Sequence, residues 1–228
     1  MNRFKHIADP PSGELYDKAY LILCNTQDTA SSFLHIFEDT RRKRKARGTP
    51  TDEEQDLLRA MLIFASSGLD SVVKQLVRDA LPSLINVDVG SEKMFQQFVA
   101  RRLDRSGDID RSLLGELLAD KQPRDRLVQN LVSELISGSL QSVEEIMRVA
   151  AHFDIPSEKL FSKSELQEFR RIFSARNEII HEMDVDFNQP NRNRRPRRKQ
   201  QMIGDTEKIF LVSERFLRNV AAKLDADS

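Results

Sequence analysis

Apolar residues recur along this chain at intervals of three and four, the spacing of one helical face. Nowhere do they show the sustained alternation of a half-buried strand bounded by hairpin turns. Leu15, Ala19, Ile22 and Leu23, continuing through Phe33, Leu34 and Phe37, predict a first helix that opens near Ser12 and dissolves into a basic run. Residues 49–85 open with the acids Asp52, Glu53 and Glu54, which suit the positive end of a helix dipole. Leu57, Leu58, Met61, Leu62, Phe64, Ala65, Leu69, Val72, Val73, Leu76 and Val77 then form a stripe broad enough for a buried, central helix that Pro82 ends.

Shorter helices are expected over 91–103 with a Ser cap, 108–119 with an Asp cap, 123–136 with Pro123 in the first turn, and 140–153. The last carries Ser142 and Glu145 at capping-box spacing. Residues 154–163 read as a connection and 163–183 as a long helix. A loop rich in Asn, Pro and Arg over 184–200 precedes a final amphipathic helix, 205–224. No internal repeat is evident. The pattern predicts an all-α fold with one domain over 1–228. Its parts are an N-terminal helix and basic run (1–48), a core (49–187), a basic loop (188–202) and a C-terminal helix (203–228).

With 228 residues the chain is long enough for a real hydrophobic core. Its 39% hydrophobic and 32% charged content fits a soluble protein with a charged surface. No apolar run approaches the roughly 18–20 residues of a membrane span, and the N-terminus has no apolar signal region, so no membrane association is expected. The single cysteine, Cys24, excludes an internal disulfide and a cysteine zinc site, which points to a reducing, cytoplasmic setting. The formal net charge is zero, yet 41–47 and 192–199 are dense basic runs. Phosphate binding depends on such local patches, so nucleic acid is not excluded.

One stretch breaks the helical pattern. In "SARNEIIHEMD", residues 174–184, the apolar face of Phe169, Ile172, Phe173, Ile179, Ile180 and Met183 is interrupted by Arg176. A guanidinium on a core stripe needs partners. Asn177 and His181 stack one turn apart on the edge of that stripe, where Arg170 and Ser174 also lie. Two structural explanations stand beside a functional one: Arg176 pairs with a buried acid such as Asp70, and His181 is a satisfied core histidine or answers the negative end of its helix.

"ARNEIIHE" resembles the Arg-x4-His signature of HEPN domains, with the polar residue directly after the Arg that many catalytic members carry. "DLLRAMLIFASSGLDSVVKQLV" and "LQSVEEIMRVAAHFDI" resemble, in the right order, the segments that accompany it in the RiboL-PSP-HEPN-like branch. This resemblance implies an all-α, antiparallel helical bundle with additional helices. It also implies a homodimer whose signature helices meet in a composite active site, and a metal-independent endoribonuclease without cofactors. Toxin–antitoxin pairs, anti-phage defence and RNA processing are the settings it implies, with an antitoxin or defence-system partner. Inactive members bind RNA or protein only, which is the alternative. Some toxin members carry a Tyr two residues after the His; here Met183 stands there, so control by modification at that position is not supported.

In such a reaction the ribose 2′-OH attacks the adjacent phosphate, giving a 2′,3′-cyclic phosphate and a 5′-hydroxyl. An imidazole, with an unperturbed pKa of roughly 6.5, suits the proton work of His181. Arg176 suits phosphate contact and charge stabilisation, and Asn177 positions phosphate or ribose, or orients His181. Arg170 and the loop residues Arg192, Arg194, Arg195, Arg197, Arg198 and Lys199 are the expected RNA contacts. The four histidines are scattered and no H-E-x-x-H pair occurs, so no metal site is expected.

Overall fold

Helix α2 (Asp52–Asp79) is the element on which the other long helices pack, and the chain is all-α. The computed structural model describes residues 3–45, 47–105, 108–140 and 142–225. The remaining helices are α1 (Asp17–Lys43), α3 (Leu81–Val87), α4 (Val89–Leu103), α5 (Arg111–Ala119), α6 (Pro123–Ser137), α7 (Val143–His152), α8 (Ser157–Leu160), α9 (Lys163–Glu182) and α10 (Lys199–Asp225). Between α4 and α5, β1 (Asp104–Arg105) pairs antiparallel with β2 (Asp108–Ile109), two residues each.

Helix α2 begins where Thr51 accepts from the Glu54 N–H while the Glu54 carboxylate accepts from the Thr51 N–H, a reciprocal capping box. Its Leu58, Met61, Leu62, Ala65, Leu69, Val72, Val73 and Leu76 are buried. Each such large aliphatic side chain contributes roughly 1.5–3 kcal/mol of transfer free energy. Among the described residues α2 is the one helix whose length and mean hydropathy, 1.3 over 18 residues, match a membrane span, and 56% of that stretch is buried inside the fold.

Cross-helix pairs show the direction of packing. Thr26 lies against Gly68, Phe33 meets Phe64 edge-on, and Arg41 pairs with Glu54, so α1 runs antiparallel to α2. Glu165 pairs with Arg215, Glu168 with Lys208 and Arg171 with Asp205, so α9 runs antiparallel to α10. One continuous apolar core extends from Phe4 to Ala221.

Several expected boundaries shift. The first helix starts at Asp17, after a turn in which the Tyr16 and Asp17 N–H groups bind the Gly13 carbonyl. Pro82 lies in the first turn of α3, where its missing N–H costs nothing. The cap of α4 is Asp88, which accepts from the Ser91 N–H, so Ser91 is the recipient rather than the cap. The presumed connection 154–163 contains α8. The last helix begins at Lys199, inside the expected basic loop, because Met202 and Ile203 bury themselves in the core. Met183 is not on the core stripe. It is 65% exposed and left-handed at φ 51°, terminating α9.

Candidate functional site

The site is carried by α9. Ser162 and Glu165 form a second capping box at its start, and the Glu165 carboxylate also accepts from Arg215. The bond from Arg215 holds that carboxyl down at a pKa of about 2. Phe169, Ile172, Phe173 and Ile179 seat the helix in the core, and Ile180 is half-buried.

Arg176 lies on this seated face, only 8% exposed. Its side chain makes one hydrogen bond among the described residues, from an Nη donating to Asn177 Oδ1 at 2.9 Å, and it has no ion pair. Burial lowers its pKa from the ordinary arginine range, and the more distant charge of Asp70 partly offsets this. Asp70 is therefore not its ion-pair partner. That carboxylate accepts from the Leu140 N–H at 2.7 Å and pairs with Lys74 at 2.9 Å. A desolvated guanidinium with unused donors is costly in an isolated subunit and well suited to an incoming anion.

Asn177, half-buried, is bound to Arg176, and His181 is exposed, so His181 is no core histidine. His181 has no hydrogen bond or ion pair among the described residues. One helical turn, a rise of about 6 Å, separates Asn177 from His181. Arg170 is drawn aside by Glu144 of α7, with nitrogens 2.9 and 3.1 Å from one carboxylate oxygen.

The expected RNA-holding loop is largely tied to the protein itself. Arg194 pairs with Asp56 at 2.6 Å and donates to the Met183 carbonyl. Arg195 donates to the Val185 carbonyl at 2.7 Å and approaches Glu182 at 3.3 Å. Arg197 binds Glu178 at 2.9 Å and both oxygens of Asp184. Lys199 binds Glu38 at 2.6 Å. Arg192 and Arg198 are exposed and carry no ion pair among the described residues.

The centre of this network escaped the sequence reading. Asp184, fully buried directly after α9, accepts from Arg59 of α2 as well as from Arg197. Arg59, itself buried, also donates to the Arg195 carbonyl at 3.0 Å and to Asp56 at 2.9 Å. The signal available was an arginine opening the apolar stripe of α2. Glu178, three residues before His181, binds Arg197 in the same network. No family model, curated protein or solved structure matches this chain.

Proposed function

We propose that the chain is a HEPN-type, metal-independent endoribonuclease that works as a homodimer. The observation that carries this reading is Arg176: a buried arginine without an ion-pair partner among the described residues, bonded to Asn177, which lies one turn before an exposed histidine on the same helix. An arginine kept for packing acquires an acid. An arginine kept for a phosphate leaves its donors free.

In the proposed reaction the 2′-oxygen attacks phosphorus as it loses its proton, the bond from phosphorus to the 5′-oxygen breaks, and that oxygen gains a proton. In a dimer that joins two α9 helices, one His181 accepts the first proton and the second His181 supplies the other. Arg176 neutralises charge on the phosphoryl oxygens, and Asn177 holds Arg176 in place. Of the loop arginines, Arg192 and Arg198 retain free guanidinium groups for backbone phosphates; the others serve the fold.

The test is purified protein with single-stranded and structured RNA in EDTA. Cleavage to 2′,3′-cyclic phosphate ends that is lost in both Arg176→Ala and His181→Ala supports the reading. Cleavage unchanged in both variants removes it. A second reading, a non-catalytic module that docks RNA or a protein, draws on Met183 and Phe187, exposed large apolar side chains in the residues that follow α9. It predicts RNA binding without cleavage.

A further inference from the structure

Residues 3–9 form a strap that is tied to both α1 and α10. Phe4 and Ile7 are buried, and Phe4 meets Phe210 of α10 edge-on with ring centroids 5.3 Å apart. The Phe4 N–H donates to the Ser31 hydroxyl of α1 at 3.1 Å. Arg3 pairs with Glu207 at 3.1 Å, and Arg218 donates to the Ala8 and Asp9 carbonyls. Arg3, Phe4 and Lys5 of the strap, Gln27 of α1 and one face of α10 from Glu207 to Glu214 line a cavity of about 260 Å³.

Gln27 is the residue here that packing leaves unexplained. It is 4% exposed, and its Oε1 is buried with no donor among the described residues. Thr206, beside Glu207 on α10, is buried with its hydroxyl likewise unpartnered. Buried polar groups are nearly always bonded, and one left unmet costs the fold stability. The last torsion of a glutamine side chain is soft, so the Gln27 amide can turn to meet a molecule in the cavity.

The charges lining the cavity are of both signs and sum to zero. Arg3 and Glu207 answer each other. Lys5 is exposed and has no ion pair among the described residues. Glu214 gives one oxygen to Arg218 Nε at 3.0 Å and keeps the other. Lys5 and Glu214 thus face one cavity without pairing with each other. On the same face of α10, Phe210 and the exposed Leu211 add an apolar wall.

These features narrow the ligand. A volume of about 260 Å³ holds about nine waters at roughly 30 Å³ each, which suits a molecule of about ten non-hydrogen atoms. A free cation and a free carboxylate oxygen match a molecule that carries both charges, and the apolar wall matches an aliphatic or aromatic group. We propose that this cavity binds a free α-amino acid with an apolar side chain. Its carboxylate lies on the Lys5 ammonium, its ammonium on Glu214 and the Gln27 amide oxygen, and its side chain against Phe210 and Leu211. No residue of α9 lines the cavity, so the proposal is independent of RNA cleavage.

The experiment is calorimetric titration of the full chain with L-leucine, L-methionine and L-phenylalanine, beside 4-methylpentanoate and 3-methylbutylamine, which each keep one charge of leucine. At least one amino acid is expected to bind saturably with a Kd of about 1 mM or tighter, at least tenfold tighter than either single-charge analogue. Lys5→Gln, at an exposed position, should weaken binding at least tenfold with an unchanged melting temperature. Gln27→Leu, which removes the unmet amide at similar volume, should weaken binding as well while holding or raising the melting temperature. His181→Ala should leave binding unchanged, which separates this site from the ribonuclease reading. The proposal is overturned if none of the three amino acids binds at about 10 mM, if Lys5→Gln binds as tightly as wild type, or if either analogue matches the best amino acid.

Discussion

Arg59 Nε donates to Asp184 Oδ2 at 2.7 Å, with both side chains buried and 125 positions between them in sequence. This bond fastens the first turns of α2 to the end of α9, and Arg197 closes on the same carboxylate from the far side. Two guanidinium groups thus depend on one acid. Removing one partner of a buried pair leaves uncompensated charge at a cost of about 3–5 kcal/mol. Asp184→Ala should lose stability of that order in urea denaturation, and a double cycle with Arg59→Met should show strong coupling between the two positions.

Arg176 should behave in the opposite way. With no ion pair to break, Arg176→Met should hold stability within about 1 kcal/mol of wild type or raise it, because a desolvated charge is replaced by an apolar chain of similar length. RNA cleavage should nonetheless vanish. His181→Ala, at an exposed position, should shift stability by no more than about 0.5 kcal/mol and abolish cleavage as well. A large loss of stability in Arg176→Met would assign that arginine to the fold.

His152 is buried on α7, with Nδ1 lacking a partner among the described residues. Burial first, then the charges of Arg101 and Arg148, push its pKa from 6.5 down to about 4. The unfolded chain therefore binds this proton more readily than the folded one. Stability from this group is complete above pH 6.5 and drains as pH falls toward about 4. The loss amounts to about 3 kcal/mol at 1.36 kcal/mol per pKa unit. Unfolding free energy measured across that range should show the slope, and His152→Leu should flatten it.

Glu165 acts in a lower window. Its carboxyl, lowered from 4.5 to about 2 chiefly by the bond from Arg215, stabilises the fold above pH 4.5. That contribution disappears as pH falls toward 2. Glu165→Gln should remove the slope in this window alone and loosen the first turn of α9, seen as faster amide exchange there.

Gly68 lets α1 approach α2. A Cβ at this position would sit 2.3 Å from Thr26 Cγ2 and 2.6 Å from its hydroxyl. Gly68→Ala should therefore destabilise by about 1–3 kcal/mol despite its better helix propensity. Adding Thr26→Ala, which deletes both atoms and leaves only the Thr26 Cβ, at 2.9 Å, should restore part of the loss in thermal unfolding.

Much of the helical layout was legible because burial imposes a period. The stripe from Leu58 to Val77 can be satisfied only by a buried helix, and capping residues such as Ser142 bind N–H groups three positions on. Boundaries were less legible where a terminus is set by distant packing. The start of α10 at Lys199 follows from burial of Met202 and Ile203, and Met183 leaves the core because the chain turns there into a left-handed conformation. For the candidate site, helix phase alone put Asn177 and His181 on the edge and Arg176 on the seated face.

By itself, then, the sequence determined an all-α chain, the central standing of α2 and the phase of Arg176, because these depend on neighbours within a few turns. Only the tertiary structure decided which charges remain free. It assigned Asp70 to Lys74 and the Leu140 N–H, leaving Arg176 without an ion-pair partner. It tied Arg194, Arg195 and Arg197 into the fold, and it brought the run ending α1 against the run opening α10. The reason is physical: an ion pair depends on distance in space, and residues such as Arg59 and Asp184 come within bonding distance only after the helices have packed.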